Sequence, residues 1–241
     1  MNNCALEQAE ELFEQALEYF LGIEKEKNMI HAKELLQQSS ELGLSKSSNL
    51  LGDWYIKKII PGDNYKEAFK LYTRGCEFGD MRSFSRLAMC YEKGYGIKKD
   101  IPKALELYEK SVVLGNKDAC FSIARIYEKG ENIKMDLSKA ILRYKWGYEK
   151  GDADCACNLA TCYYKGKGIE QNIEKAKEIF LAFSEYNTQN QRNLGVIFYK
   201  GTPSCKPNEE EAIYWFTKAA NNGDITSMLH LGIIYKNLDR E

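Results

Sequence analysis

Histidine is scarce in this chain of 241 residues, which contains only His31 and His230. Hydrolases that use a serine or cysteine nucleophile need a histidine held beside it. The two histidines lie near opposite ends of the chain, and Cys205 is the only cysteine near His230 along the sequence. We therefore expect a protein that is not an enzyme, with no catalytic residue and no cofactor.

Proline is limited to four residues, Pro61, Pro102, Pro203 and Pro207. Proline interrupts a helix because it lacks the backbone N–H and its ring clashes with the preceding turn. All four prolines fall in or beside predicted loops, so their placement supports long helices elsewhere.

An excess of basic charge is also lacking, since the net charge is −1. Nucleic-acid binding draws much of its affinity from basic side chains on the phosphate backbone, so we expect no nucleic-acid partner. No run of about 18 apolar residues occurs, so no membrane-spanning helix is expected. The first residues, from Met1 to Glu14, lack the basic start and apolar segment of a secretory signal. The expected location is cytoplasmic, or outside the cell by a route that needs no classical leader.

Tyrosine, in contrast, is plentiful and recurs with a period of 36 residues. The series is Tyr19, Tyr55, Tyr91, Tyr127, Tyr163, Tyr199 and Tyr235. A series of alanines has the same period: Ala32, Ala68, Ala104, Ala140, Ala176 and Ala212. A fixed period of roughly 20 to 50 residues is typical of a solenoid, in which one structural unit is copied and stacked. The sequence therefore predicts an all-α fold, a right-handed superhelical α–α solenoid of about 6.5 helix–turn–helix repeats.

Capping residues and glycines predict the limits of each unit. Asn and Asp should cap the second helix of each repeat, helix B, at Asn28, Asn64, Asp100, Asp136, Asn172 and Asn208. Helix B should end at a residue that tolerates the left-handed conformation, at Gly43, Gly79, Gly115, Gly151, Asn187 and Gly223. The next residue should cap the following helix A, at Asp80, Asn116, Asp152, Thr188 and Asp224. In the fifth repeat this predicts helix A from Ala153 and helix B from Ile173 to Tyr186.

The repeats cover the chain as one predicted domain, 1–241. Their approximate limits are 1–43, 44–79, 80–115, 116–151, 152–187 and 188–223, with a terminal half-repeat at 224–237.

One repeat breaks the period. Leu194–Phe198 matches Leu159–Tyr163 with an offset of 35 residues, so one residue is missing near Thr188. Phe198 should then occupy the packing position, and Tyr199 is in phase by number only. The other six tyrosines of the series should pack between successive repeats. A second aromatic series should do the same: Tyr72, Tyr108, Tyr144, Phe180 and Phe216.

Eight cysteines raise the question of disulfides or a metal site. Most occupy repeat positions held elsewhere by small or apolar residues; Cys162, for example, aligns with Ile126. Cys155 and Cys157 are two residues apart on a predicted helix and so point in different directions, whereas a zinc site needs three or four converging ligands. We predict mostly buried cysteines and no metal, with Cys205 exposed and the most reactive.

The fifth repeat resembles the Sel-one-like repeat (SLR) family, a relative of tetratricopeptide repeats. The matching residues are Gly151-Asp152, Leu159-Ala160, Tyr163, Gly166-Lys167-Gly168-Ile169, Asn172 and Lys175-Ala176. The resemblance implies an α-solenoid that acts as a scaffold or adaptor by binding a protein or peptide. An alternative is a bacterial effector or immunity-type protein that binds one target. A cysteine-rich, β-lactamase-like hydrolase is a third alternative, but such members carry leaders and paired cysteines that this chain lacks.

A partner should bind the concave surface, which helix A lines in related solenoids. The variable positions of helix A that face away from the core form a polar strip across the repeats. Its members proposed to bind the partner are Asp53, Arg86, Met89, Ser122, Arg125, Asn158, Thr161, Asn193 and His230. Polar groups of this kind can pair with a peptide backbone.

The last repeat has helix A alone, from Asp224 to Lys236. Without a helix B, this helix either caps the solenoid or meets another chain. We therefore predict a monomer or a weak dimer formed through the C-terminal helix.

Overall fold

The computed structural model describes residues 3–23, 25–62 and 64–238. Met1 and Asn2 of the N-terminal segment considered above, and residues 239–241 of the predicted domain, lie outside the described residues, as do Glu24 and Asp63. Thirteen helices and no strand occur within those ranges, which confirms the predicted all-α class. An isolated β-bridge joins Thr202 and Cys205.

The helices alternate between the A and B types, with short loops between them. Helices of type A are α1 (Asn3–Leu21), α3 (Ser45–Ile56), α5 (Met81–Lys93), α7 (Ala119–Lys129), α9 (Ala153–Lys165), α11 (Thr188–Lys200) and α13 (Ile225–Leu238). Helices of type B are α2 (Met29–Glu41), α4 (Asn64–Glu77), α6 (Ile101–Val113), α8 (Leu137–Glu149), α10 (Ile173–Ala182) and α12 (Glu209–Asn221). Consecutive helices pack against each other from α1 to α6 and from α8 to α13, and the A helices α3 and α5 of successive repeats also touch.

Two compact units divide the chain. The first comprises Met1–Ala119 and Glu131–Ile133, and the second comprises Cys120–Gly130 and Lys134–Glu241. The N-terminal unit contains α1 to α6, and the C-terminal unit contains α8 to α13 and most of α7.

Capping side chains begin most helices as predicted. The side chain of the N-cap accepts the backbone N–H three residues further on at Asn28, Asp100, Asp136, Asn172 and Asn208. Asp80, Asp152 and Asp224 cap A helices in the same way. Two positions differ, because α4 begins at Asn64 itself and Asn116 accepts the N–H of Asp118.

The start of α11 contradicts two predictions. Asn187 does not end helix B, and Thr188 does not cap helix A. Instead Asn187 is the N-cap of α11, with an extended φ of −150° and its side chain accepting the N–H of Gln189 at 2.8 Å. The missing residue is the reason, because the repeat positions of Gly151 and Asp152 both correspond to Asn187, which takes the capping role of Asp152.

Helix α10 ends at Ala182 rather than at Tyr186 as predicted. The amide side chains of Asn190 and Gln191 donate to the carbonyl oxygens of Phe183, at 3.0 Å, and Ser184, at 2.8 Å. Side chains of α11 thus satisfy carbonyl groups that a continuing helix would leave to its own next turn.

The second aromatic series forms the core, as predicted. Tyr72, Tyr144, Phe180 and Phe216 are 0% exposed and Tyr108 is 2% exposed. The hydroxyl groups of Tyr108 and Tyr144 donate to Glu92 at 2.9 Å and to Glu128 at 2.8 Å. Each buried hydroxyl therefore keeps a charged acceptor at the edge of the core.

The 36-residue tyrosine series is less uniform. Tyr55 and Tyr163 are buried, and Tyr19, Tyr91 and Tyr127 are half-buried. Tyr235 is 48% exposed, so its predicted packing role is wrong. The reason is that no helix B follows α13 within the described residues.

The register slip is confirmed by backbone hydrogen bonds. The N–H of a helix-B cap donates to the carbonyl of an aromatic residue near the end of helix A, as in Asn28 to Tyr19 at 2.9 Å and Asn172 to Tyr163 at 2.9 Å. In the sixth repeat, Asn208 donates to Phe198 at 2.8 Å. Phe198 also packs against the core formed by Ala212, Phe216 and Ile234, whereas Tyr199 is exposed.

Candidate partner-binding site

The A helices α1, α3 and α5 line a groove of about 570 Å³ in the N-terminal unit. We call it the A-helix groove. Its lining residues are Phe13 and Leu17 of α1; Lys46, Asn49, Leu50 and Asp53 of α3; and Met81, Arg82 and Arg86 of α5 with its cap Asp80. The groove therefore combines four half-buried apolar side chains with a set of charged and amide groups.

Two residues of the predicted strip, Asp53 and Arg86, bind each other in this groove. Arg86 Nε donates to Asp53 Oδ1 and Arg86 Nη2 donates to Asp53 Oδ2, each at 2.7 Å. The Tyr72 hydroxyl also donates to Asp53 Oδ1 at 2.7 Å. A two-bond pairing of guanidinium and carboxylate fixes the orientation of both groups. The pair joins α3 to α5 and so links the second repeat to the third.

The surroundings of Arg86 favour its charged form, and those of Tyr72 favour its neutral form. Hydrogen bonding to Asp53 raises the pKa of Arg86 above its ordinary value, although burial opposes the charge. Burial, followed by the hydrogen bond to Asp53, raises the pKa of Tyr72 far above its ordinary value. Tyr72 therefore remains a neutral donor and Arg86 remains a cation at physiological pH.

A second polar cluster surrounds Asp80. Asn49 Nδ2 donates to Asp80 Oδ2 at 2.8 Å, and the backbone N–H of Ser83 donates to the same oxygen at 2.7 Å. The Ser83 hydroxyl lies 2.8 Å from this carboxylate and 2.9 Å from Asn49 Oδ1. Burial opposes the charge on Asp80, but the hydrogen bonds from Asn49 and Ser83 outweigh it and lower the pKa. Asp80 thus both caps α5 and holds α3 beside it.

The contact between Asn49 and Asp80 was not predicted from the sequence. Asn49 and Arg192 occupy equivalent positions of their repeats once the slip is applied, and Arg192 Nη1 donates to the cap Asp224 at 2.8 Å. Both residues therefore reach the N-cap of the next helix A. A polar side chain at this position, where other repeats have Ser85, Phe121 and Cys157, is the signal that could have revealed the contact.

Lys46 and Arg82 are the charged residues of the groove that have no ion-pair partner among the described residues. Both are exposed, and neither forms a hydrogen bond or an ion pair with any residue that the structure describes. Each is the second residue of its helix, α3 or α5, so the two lie at the same end of the groove. Neither residue was predicted from the sequence, because both lie at the start of helix A rather than in its middle; their spacing of one period was the available signal.

Of the other predicted strip residues, Met89 lies half-buried on α5 but does not line the groove. In the C-terminal unit, Ser122 and Asn193 are half-buried on α7 and α11. The guanidinium of Arg125 lies over the ring of Phe121, 5.5 Å from its centroid. The strip residues of this unit are thus at the surface of the A helices.

Three further strip residues, Asn158, Thr161 and His230, contact other residues of the C-terminal unit. Asn158 Nδ2 and Thr161 Oγ1 donate to the carbonyl oxygens of Asp154 and Cys157, one turn earlier in α9, each at 2.8 Å. The ring of His230 stacks on Phe216 with 4.7 Å between the centroids. Among the described residues, Asp53 and Arg86 are therefore the two members of the predicted set that direct hydrogen bonds bring together.

The eight cysteines are unpaired. Cys90, Cys120, Cys155, Cys157 and Cys162 are buried, Cys76 is half-buried, and Cys4 and Cys205 are exposed. Burial raises the pKa of Cys90 and Cys157 to about 12 and that of Cys162 to about 11, so these thiols stay protonated. Within the described ranges, no cluster of three or more His, Cys, Asp or Glu side chains could hold a metal ion, and no helix is long and apolar enough to cross a membrane.

The helix hairpins that repeat along the chain define an α-solenoid. The Sel1 repeat model matches the chain in six segments, at residues 12–44, 47–80, 85–116, 117–142, 153–184 and 191–224. These segments cover most of the sequence, and the chain belongs to the Sel1 repeat family. Proteins of this family generally mediate protein–protein interactions and are typically non-enzymatic scaffolds.

Several solved structures have a similar fold. A Sel1 repeat protein from Oxalobacter formigenes has 26% identity and a TM-score of 0.79, over 91% of this chain and 88% of the other. A protective antigen of uropathogenic Escherichia coli with an SLR fold has 23% identity and a TM-score of 0.69, over 95% and 57%. An immunity protein from Pseudomonas aeruginosa has 18% identity and a TM-score of 0.57, over 90% and 84%. No curated protein sequence matches the chain significantly.

Proposed function

We propose that this chain is a non-enzymatic scaffold or adaptor that binds a protein or peptide segment in the A-helix groove. The observation that carries the proposal is the composition of the groove. Half-buried apolar side chains, among them Leu50 and Met81, lie beside polar groups that are already fixed by the Asp53–Arg86 and Asp80–Asn49 contacts. Peptide-recognition surfaces combine apolar pockets with a few oriented polar groups in this way.

The ionisation of these polar groups also supports binding over catalysis. The pKa of Asp80 is lowered and that of Arg86 is raised, so each is stabilised in its charged form. A general acid or base works best when its pKa lies near the working pH. The groove shifts both groups away from that range, as expected for residues that hold the surface in shape.

An alternative within the same mode of action is an immunity-type protein that neutralises one target by binding it. The fold shared with the immunity protein of Pseudomonas aeruginosa favours this candidate. If a toxin gene adjoins the gene for this chain, co-expression should give a one-to-one complex on size exclusion. Failure of an adjoining toxin to co-purify would exclude this candidate while leaving the adaptor in place.

Peptide display against the folded protein tests the proposal. Random peptides are selected on the wild type and then compared on the double variant Leu50→Gln/Met81→Gln, which removes apolar surface from the groove without adding charge. A matched control, Ile30→Gln/Val113→Gln, changes two apolar residues that are 74% and 85% exposed and do not line the groove. We expect selected peptides to lose binding to the groove variant and to keep it with the control. Peptides that bind all three proteins equally would contradict the proposal.

A further inference from the structure

The charges that line the A-helix groove are unequally satisfied. Both carboxylates already accept hydrogen bonds. Asp53 accepts from Arg86 and Tyr72. Asp80 accepts from Asn49 and Ser83. Arg86 is in turn occupied by Asp53. The remaining charged groups, Lys46 and Arg82, are exposed cations with no partner among the described residues. The charge that the groove offers to a ligand is therefore positive.

This positive charge is specific to the second and third repeats. Lys46 and Arg82 hold the same repeat position. The first repeat has Glu10 there, which does not line the groove, and the later repeats have Asp118, Asp154, Gln189 and Thr226. The sign at this position thus changes from basic to acidic directly after Arg82. Conserving the fold does not require a cation here, since the same helical position is acidic in α9.

The apolar part of the groove lies along the same helices. Phe13 and Leu17 of α1, Leu50 of α3 and Met81 of α5 are half-buried and line it together with the two cations. Leu50 follows Lys46 by one turn of α3, and Met81 adjoins Arg82. An apolar group bound among these side chains would therefore lie within reach of both positive charges.

We propose that the segment bound in the A-helix groove is an acidic peptide that carries an apolar side chain. This inference rests on the proposed function and names the partner's chemistry. Packed helices lie about 8–10 Å apart, and an extended peptide rises about 3.3 Å per residue. Carboxylates on the peptide about three residues apart can then meet Lys46 and Arg82 separately, while an apolar side chain between them enters the groove.

The direct test is fluorescence anisotropy with a fluorescein-labelled synthetic peptide in which aspartates lie three positions apart around a leucine. Three other probes are compared with it: the asparagine version, the lysine version, and a single-stranded oligonucleotide of equal net charge. We expect the aspartate peptide alone to bind with substantial affinity, and added salt to weaken it, because the ion pairs are exposed. Equal binding of the oligonucleotide would overturn the inference, since the apolar side chain would then contribute nothing.

Charge reversal assigns the binding to the two cations. The double variant Lys46→Glu/Arg82→Glu should weaken binding of the aspartate peptide at least about tenfold, which corresponds to about 1.4 kcal/mol. The control Lys98→Glu/Lys134→Glu changes the net charge equally, at two exposed loop positions that are also one period apart and follow helix A rather than begin it. The control should bind as the wild type does. An equal loss in both variants, or no loss in either, would overturn the inference, and circular dichroism verifies that each protein is folded.

The display experiment separates failure of this inference from failure of the proposed function. Selected peptides that depend on Leu50 and Met81 but are neutral or basic would leave the function standing and refute the acidic partner. Absence of any groove-dependent peptide would refute both. Enrichment of aspartate and glutamate around an apolar residue, lost in the Lys46→Glu/Arg82→Glu variant, would support both.

Discussion

Gly195 lies directly against the ring of Phe216, and a Cβ added to it would come within 2.6 Å of Cδ1 and Cε1. Gly52, at the equivalent position of the second repeat, faces Tyr72 in the same way, with 2.5 Å to Cε1. Three repeats have alanine there, and Ala88, Ala124 and Ala160 are all buried. At Gly52 and Gly195, in contrast, the close approach of the ring leaves no room for a Cβ atom.

The first prediction is that Gly195→Ala destabilises the protein even though alanine is the better helix former. Overpacking of a core typically costs about 1–3 kcal/mol, which exceeds the gain in helix propensity of about 1 kcal/mol. The matched control is Gly232→Ala, at the same repeat position in α13, where the added Cβ would meet nothing within 4 Å. It should raise the free energy of unfolding by about 0.5–1 kcal/mol. Urea denaturation measures the change in the free energy of unfolding for both variants. A change of the same sign in the two variants would contradict the prediction.

The second prediction concerns Phe198 and Tyr199. Counting in steps of 36 residues selects Tyr199, but Phe198 holds the packing position. Phe198→Ala should lower the free energy of unfolding by about 2–3 kcal/mol, less than the loss from a fully buried phenylalanine because Phe198 is half-buried. Tyr199→Ala should change it by less than about 1 kcal/mol. A larger loss at Tyr199 than at Phe198, measured by thermal and urea unfolding, would show that the register is misassigned.

Much of the fold can be predicted from the sequence because each local pattern, such as a capping residue or a core aromatic residue, occurs once in most repeats. The caps Asp100 and Asn172 and the core ring Phe180 each belong to a series in which most members have the same physical role. The unpredicted features arise where the series is interrupted. Because one residue is missing, Asn187 corresponds to two positions of the other repeats. Helix α10 ends early where side chains of α11 donate hydrogen bonds to the carbonyl groups that follow it.

The candidate site could be predicted only in part. Spacing along helix A identifies Asp53 and Arg86 as surface residues, but their mutual hydrogen bonds depend on the distance between α3 and α5, which a period does not give. The apolar contribution of Phe13 depends on how far α1 extends beside α3. Lys46 and Arg82 were accessible to sequence reasoning, since a change of charge sign within one repeat series is visible without coordinates.

The third prediction is energetic coupling between Asp53 and Arg86. Their side chains are 26% and 29% exposed, and their two-bond geometry is shared with Tyr72. A double-mutant cycle with Asp53→Asn and Arg86→Gln should give a coupling energy of about 1–2 kcal/mol. The exposed lysine–carboxylate pair Glu67–Lys70 on α4 makes a single contact and should show a much smaller coupling. Equal coupling in the two cycles would mean that the groove pair adds no stability through its partial burial.

The fourth prediction uses the lowered pKa of Asp80. A carboxylate whose pKa is lower in the folded state stabilises the fold above its unfolded pKa, which is about 3.9 for Asp, and this contribution is lost as the pH falls through the folded pKa. Asp80→Asn should therefore lower stability at neutral pH, and it should reduce the loss of stability between neutral pH and about pH 3. Urea midpoints measured across this range test the sign. An Asp80→Asn protein with the acid sensitivity of the wild type would contradict it.

The last prediction concerns self-association through α13. Ile225, Met228, Leu229 and Ile233 are 72%, 48%, 65% and 54% exposed. In α9, the residues equivalent to Met228 and Leu229 are Ala156 and Cys157, which are 0% and 2% exposed. Helix α13 therefore presents a surface that is buried in an internal repeat. The first helix differs, since its exposed residues include the acidic Glu7, Glu10, Glu11 and Glu14. An apolar end and an acidic end do not complement each other, so we expect a symmetric α13-to-α13 dimer rather than a head-to-tail chain.

Light scattering over a range of protein concentrations tests this dimer. The mass should rise with concentration for the wild type, and Leu229→Lys should remain monomeric because two like charges would face each other across the symmetric contact. Leu142→Lys introduces the same charge at a residue of α8 that is 64% exposed, and it should associate as the wild type does. A wild type that stays monomeric at every concentration would show that α13 closes the solenoid without a partner. A dimer that survives Leu229→Lys would show that the chains meet through another surface.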